Sequence, residues 1–127
     1  MYDAGDVLII GGGPVGMFTA LALAQGGAKV TLIEGGPDIS DEPRAMVYFP
    51  STMTALKELG ILDELDKIGL RSSAFGLKNP SFEFFGRIAH SDLDGESFAY
   101  QIHAGQDVAA RIAMKAAQEL GVNVLVN

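Results

Sequence analysis

Val7-Leu8-Ile9-Ile10-Gly11-Gly12-Gly13-Pro14-Val15-Gly16 decides how the rest of the chain is read. Four apolar, mostly branched residues closed by three glycines predict a strand buried on both faces, as in a parallel sheet covered by helices. From Pro14 to Gln25 the residues are small or apolar, which predicts a helix stopping at Gly26-Gly27. Lys29 to Ile33 then predicts a second strand that meets Glu34. Strand, glycine turn, helix and strand within about 30 residues make a βαβ unit over residues 6–34. The same stretch imitates a leader peptide, because residues 7–24 carry no charge and end in Ala22-Leu23-Ala24. Asp3 and Asp6 in place of basic residues argue against that, as does a Gly-Gly-Gly-Pro break in mid-run.

Outward from this unit, residues 35–50 are rich in turn formers and predict a long ordered loop, a kind that is usually functional. Ser51 predicts a helix cap, with Met53, Leu56 and Leu59 facing inward up to Gly60. A second short helix is expected from Ile61 to Ile68, so that helices fill residues 51–69. Over residues 71–103 aromatic and polar residues alternate between turns at Asn79-Pro80 and Asp94-Gly95, predicting two or three antiparallel strands. Residues 105–126 predict a helix with Val108, Ile112, Ala116 and Leu120 on its inner face, then a third parallel strand. The expected fold is α/β: a Rossmann-like parallel sheet with a small antiparallel region in a long crossover.

Composition bounds the function. The chain has 127 residues, 48% of them apolar, which is one domain's worth with material for a core. Sixteen acids against nine Lys and Arg give a net charge of -7, and no dense basic cluster is present, which argues against nucleic-acid and anionic-membrane partners. With no cysteine there is no disulfide framework, thiolate metal site or cysteine nucleophile, and a cytoplasmic setting fits.

Gly11, Gly13 and Gly16 form GxGxxG, extended by the small residue Ala20. The first glycine turns the chain, the second admits a pyrophosphate without a Cβ, and the third lets helix and strand pack closely. The helix start beyond them, at Pro14 and Val15, offers free N–H groups to phosphates. An acid near the end of the second strand should accept hydrogen bonds from a ribose diol, and Glu34 stands 18 residues beyond Gly16. A carboxylate there disfavours a 2′-phosphate, so FAD or NAD is expected rather than NADP. The rival reading is a plain tight turn with a solvated acid. A short NAD-type unit would reach its third strand sooner. The long crossover here is typical of FAD folds of the glutathione-reductase type.

In DVLIIGGGPVG, TLIEGGPDISDEPRAMVYFPSTMTALKELGILDEL and GQDVAARIAMKAAQELGVNV, the chain resembles the FAD-dependent aromatic-ring hydroxylases of the p-hydroxybenzoate hydroxylase type, single-component flavoprotein monooxygenases. The resemblance implies that Gly35 continues the nucleotide site. It also implies that Arg44, beside Ala45 in a Pro-Arg-Ala context, contacts the phosphates, and that Gln106 approaches the FAD linker. It implies reduction of FAD by NADPH or NADH and transfer of one oxygen atom of O2 to a small phenolic substrate. Members are far longer, so this chain is expected to be an N-terminal part of the FAD-binding domain, with the substrate domain outside it. A homodimer of the longer protein stays open.

Each residue has a rival role. Arg44 has Asp41 and Glu42 as alternative partners, Gln106 can simply cap its helix, and Tyr48 and Phe49 are either substrate-facing or core. No side chain is expected as nucleophile or general base, and His90 and His103 lack a third ligand for a metal. The alternatives are another FAD oxidoreductase of this fold, such as a dehydrogenase, amine-oxidase-like enzyme or halogenase, or a non-catalytic nucleotide-binding module.

Overall fold

The computed structural model describes residues 5–38, 44, 46–93, 95 and 98–127. The chain forms two compact units, Met1–Ala45 with Gly105–Asn127, and Met46–Ala104. In chain order the elements are β1 (Val7–Ile10), α1 (Pro14–Gln25), β2 (Val30–Glu34), β3 (Val47–Tyr48), α2 (Pro50–Glu58), α3 (Leu62–Ile68), β4 (Leu70–Ser72), β5 (Ala74–Lys78), β6 (Phe84–Ala89), β7 (Gln101–His103), α4 (Gln106–Glu119) and β8 (Asn123–Val126), with a 3-10 turn at His90–Asp92. No helix among the described residues is long and apolar enough to cross a membrane.

The first unit is a parallel sheet in the order β1-β2-β8, with Ile9 opposite Leu32 and Leu32 opposite Val124. Val30 and Leu32 of the central strand are buried, and α1 packs on β2 and on α4. Within residues 5–127 β1 stands at the end of the three-strand order, and it is covered on one face where the sequence predicts two. Leu8 and Ile10 are 50% and 74% exposed, because α1 lies on the opposite side, where Gly16 faces Ile9. The inner face of α4 also differs from the expected one. Ala109, Ala110, Ala113 and Ala117 are buried, whereas Leu120 is exposed. α4 packs against α1, whose buried residues include the bulky Met17 and Leu21, so an alanine stripe on α4 leaves room for those side chains in a close-packed contact.

The second unit holds an antiparallel sheet in the order β3-β7-β4 and the hairpin β5-β6. The aromatic region thus gives four strands where two or three are expected, and its β7 pairs with a strand, β3, inside the expected loop. α2 begins at Pro50, one residue before the expected start. Phe49 is its N-cap and makes no side-chain bond, since proline's fixed φ suits the first helical position. Met53, Leu56, Leu65 and Ile102 form the core, while Phe82, Phe84 and Phe85 of the hairpin are exposed.

Candidate functional site

The glycine turn is fixed by two requirements. Gly11 has φ +108°, a conformation side-chain-bearing residues avoid, and its N–H donates to the Ile33 carbonyl at 2.8 Å, joining the turn to β2. A Cβ at Gly16 would overlap the Gly11 carbonyl oxygen, so only glycine lets α1 start this close to β1. Gly13 plays a different part. A Cβ there would meet no protein atom within 4 Å, and the residue lines a cavity of about 770 Å³. That size suits a nucleotide-sized ligand.

Glu34 ends β2 beside this cavity. The Gly12 N–H donates to its Oε2 at 2.6 Å and the Gly36 N–H to its Oε1 at 2.9 Å. These donors, Gly12 first and then Gly36, hold the Glu34 carboxyl below the usual carboxylate range. A carboxylate has about four acceptor directions, so the two bonds do not exhaust it. Glu34 therefore braces the turn from below while keeping acceptor capacity toward the cavity.

α4 supplies the opposite wall. Its N-cap is Gly105, so Gln106 occupies the first helical position rather than capping, and Asp107 sits in the first turn, where a negative charge suits the helix dipole. Gln106, Asp107, Ala110 and Arg111 all line the cavity, as do Pro37, Asp38 and Arg44. Arg111 Nη1 donates to Asp38 Oδ1 at 3.2 Å and Oδ2 at 3.1 Å.

The cavity brings together Gly13, Pro14, Val15, Glu34, Arg44 and Gln106 from the sequence reading. Gly11 and Gly16 act through backbone geometry, and Gly35 is not in the wall. Ala45 lies outside the described residues, as do Asp41 and Glu42, the alternative partners of Arg44. Tyr48 is buried in β3 of the second unit at 7% exposure, opposite Ile102, and Phe49 stacks 5.5 Å from Phe75. Sequence reasoning missed Gly12, Gly36, Asp38, Asp107 and Arg111. For Asp107 and Arg111 a signal existed: they are four positions apart near the start of a helix beginning at Gln106, so they share one face of its first turns.

His90 and His103 do meet, through Gln101. His90 Nε2–H donates to Gln101 Oε1 at 2.9 Å, and Gln101 Nε2–H donates to His103 Nε2 at 2.7 Å. His90 and Gln101 are 3% and 1% exposed, and His90 Nδ1 has no protein partner. This chain of bonds lies wholly in the second unit.

A family model described as FAD binding domain matches residues 4–127. Over 121 residues the chain is 32% identical to para-nitrophenol 4-monooxygenase of Pseudomonas sp. (strain WBC-3), covering 94% of this chain and 30% of that protein. Over 110 residues it is 39% identical to 6-hydroxy-3-succinoylpyridine 3-monooxygenase HspB of Pseudomonas putida (strain DSM 28022 / S16), covering 86% of this chain and 28% of the relative. Among solved structures, p-nitrophenol 4-monooxygenase PnpA from Pseudomonas putida DLL-E4 superposes with a TM-score of 0.86 at 28% identity, over 94% of this chain and 30% of that one. The chain spans about 30% of the length of these relatives.

Proposed function

The chain belongs to the FAD-binding domain family, and on that premise we propose that it supplies the adenosine-diphosphate half of the FAD site of a monooxygenase that hydroxylates a phenolic ring. One observation carries the reading: a cavity whose wall joins a Cβ-free Gly13, the carboxylate of Glu34, the guanidinium of Arg44 and the amide of Gln106. The donor set fits the cofactor. Gly13 leaves room for a pyrophosphate, and the start of α1 presents N–H groups and a partial positive charge to it. Glu34 accepts from the ribose hydroxyls, its carboxyl held below the usual carboxylate range because Gly12 and Gly36 already donate to it. Arg44 is the charge-assisted donor to phosphate, and Gln106 the neutral donor to the linker. The sheet, glycine turn and third strand then form the Rossmann-like half of a glutathione-reductase-type fold.

When bound, FAD supplies the redox chemistry of hydroxylation, in which NADPH or NADH gives two electrons and one oxygen atom of O2 enters the ring while the other leaves as water. This chain's residues bind and orient the nucleotide end, and none of them is assigned as nucleophile or base. A cytoplasmic enzyme acting on a small aromatic compound follows from the same reading. The likeness to the nitrophenol and hydroxypyridine monooxygenases supports this substrate class.

The test is an absorption spectrum of the purified protein between about 350 and 500 nm, with the polypeptide mass on the same sample, followed by a screen of phenols for stimulated NAD(P)H oxidation. A bound flavin and a phenol-dependent rate are expected. Flavin without any phenol response overturns the hydroxylase reading, and no affinity for FAD or ADP overturns the site itself.

A further inference from the structure

The bridge from His90 to His103 through Gln101 has a property that packing alone does not need. An imidazole nitrogen donates when it carries a proton and accepts when it does not, whereas a glutamine amide accepts at its oxygen and donates at its nitrogen. Gln101 Oε1, 2.9 Å from His90 Nε2, therefore requires a proton on that nitrogen, and Gln101 Nε2, 2.7 Å from His103 Nε2, requires that one to be bare. One amide thus sets the proton positions of two rings in opposite senses. It leaves His90 with a bare, buried Nδ1 that has no protein partner.

Turning the amide over exchanges every role. Gln101 then donates to a bare His90 Nε2, the His90 proton stands on Nδ1, and His103 Nε2–H donates to Gln101 Oε1. With both rings neutral this second arrangement is the poorer, because it strands an N–H in the core, which folded proteins tolerate less than a bare acceptor. A proton taken up by His103 reverses the order. Its Nε2–H would meet the amide N–H donor to donor, and only the turned amide offers it an oxygen, in a charge-assisted bond.

The surroundings keep both rings in place and set which of them takes the charge. His103 is half-buried, whereas His90 is 3% exposed, and a charge is carried at less cost by the ring that reaches water. The His90 backbone N–H donates to the Ser73 carbonyl at 2.9 Å, and its ring meets that of Phe75 edge-on at 5.5 Å. On the strands paired with β7, Val47 and Leu70 stand opposite His103 and Ser72 opposite Gln101, so these strands put no ionisable side chain on that face. Tyr48 and Arg71 stand opposite Ile102 and so on the other face, where Arg71 pairs with Asp66. Near His90 in the chain, Arg87 of β6 and Asp92 of the 3-10 turn are exposed, and Asp92 accepts from Ser91.

We infer that His90, Gln101 and His103 form a proton-operated switch, in which one proton taken up at His103 turns the Gln101 amide over and moves the His90 proton from Nε2 to Nδ1. His90 releases one proton and binds one, so the net uptake is the single proton on His103. The buried Nδ1 changes from acceptor to donor, and a change of pH outside is passed from a half-buried ring to one in the core.

Nitrogen-15 NMR of the full chain across a pH titration, with both ring nitrogens of each histidine resolved, distinguishes protonated from bare nitrogens. The expected result is that His90 exchanges Nε2–H for Nδ1–H at the same midpoint at which His103 gains its second N–H. In His103→Leu the His90 signals should stay constant over that range. In Gln101→Glu, whose carboxylate accepts from both rings without turning, His103 should gain its proton at higher pH while His90 keeps Nε2–H. If His90 of the unaltered chain keeps Nε2–H while His103 titrates, His103 leaves the amide instead and the inference is overturned. Two N–H groups on His90, or a His90 exchange that persists in His103→Leu, overturns it as well.

Discussion

The two units solve the same problem, holding loops in place around polar groups, by opposite means. In the first, the wall is made by backbone and by absent side chains: Gly11 at φ +108°, Gly16 against a carbonyl, Gly12 and Gly36 donating N–H groups to Glu34. In the second, side chains hold side chains. Arg71 pairs with Asp66 and lies 4.5 Å over the Tyr100 ring, Tyr100 Oη–H donates to Asp66 at 3.2 Å, and Gln101 bridges two histidines. A wall of backbone leaves space for a ligand, whereas a network of side chains fills its own space.

The contrast breaks most severely at Gly16. Gly16→Val should destabilise the first unit by on the order of 3 kcal/mol, because the new side chain collides with backbone rather than with a mobile neighbour. Gly13→Val should leave folding intact and abolish flavin loading. Thermal unfolding and flavin content, measured on both, separate the two glycines. Next in size, Glu34→Arg should remove adenosine-nucleotide binding altogether by replacing an acceptor with a cation. Unchanged FAD affinity would end the ribose assignment. Arg44→Ala should weaken FAD by about 1 to 3 kcal/mol, the worth of a charge-assisted bond.

In the second unit Gln101→Leu should cost about 1 to 3 kcal/mol of stability by stranding His90 Nε2 in the core, with no change in FAD affinity. A loss of flavin there would show that the two kinds of construction are coupled. The smallest effect is acid sensitivity. Arg71 first, and Tyr100 more weakly, hold Asp66 below the usual carboxylate range. A depressed folded value means stability that is present above the unfolded aspartate range and lost as pH falls through the lower folded value. Asp66→Asn should therefore lower the unfolding midpoint modestly at neutral pH and flatten the acid limb of its pH profile, the effect kept small by an Arg71 side chain that is 60% exposed.

The comparison also explains what could be read in advance. The βαβ unit and its carboxylate were legible because a backbone requirement writes itself locally: a glycine is needed at a given place, and its neighbours in sequence are its neighbours in space. The α4 face is illegible because Val108, Ile112, Ala116 and Leu120 at a spacing of four look like a core stripe, whereas Ala109, Ala110, Ala113 and Ala117 are the buried residues. The apolar run of β1 predicts two buried faces, and within these 127 residues one of them, that of Leu8 and Ile10, is uncovered. The Gln101 bridge and the Asp38–Arg111 pair were illegible for a different reason. They join residues from separate elements by side-chain geometry, and the pair spans most of the chain. No periodicity records such contacts.

The pairing of Val47 with His103, backed by the Ala104 N–H donating to the Met46 carbonyl at 3.0 Å, bears on how the polypeptide is made. β2 and β8 are partners, with Thr31 opposite Asn123, so this pairing waits until the residues of β8 have left the ribosome. Joining ends about ninety residues apart carries a loop-closure cost of about 4 kcal/mol. The segment from Met46 to Ala104 is contiguous and emerges earlier, and once formed it clamps its own entry and exit side by side. The tether still to be closed is then roughly a third as long, which lowers the cost by about 1 kcal/mol. The inserted unit thereby serves as a splint for synthesis, bringing β8 to its partner during vectorial folding.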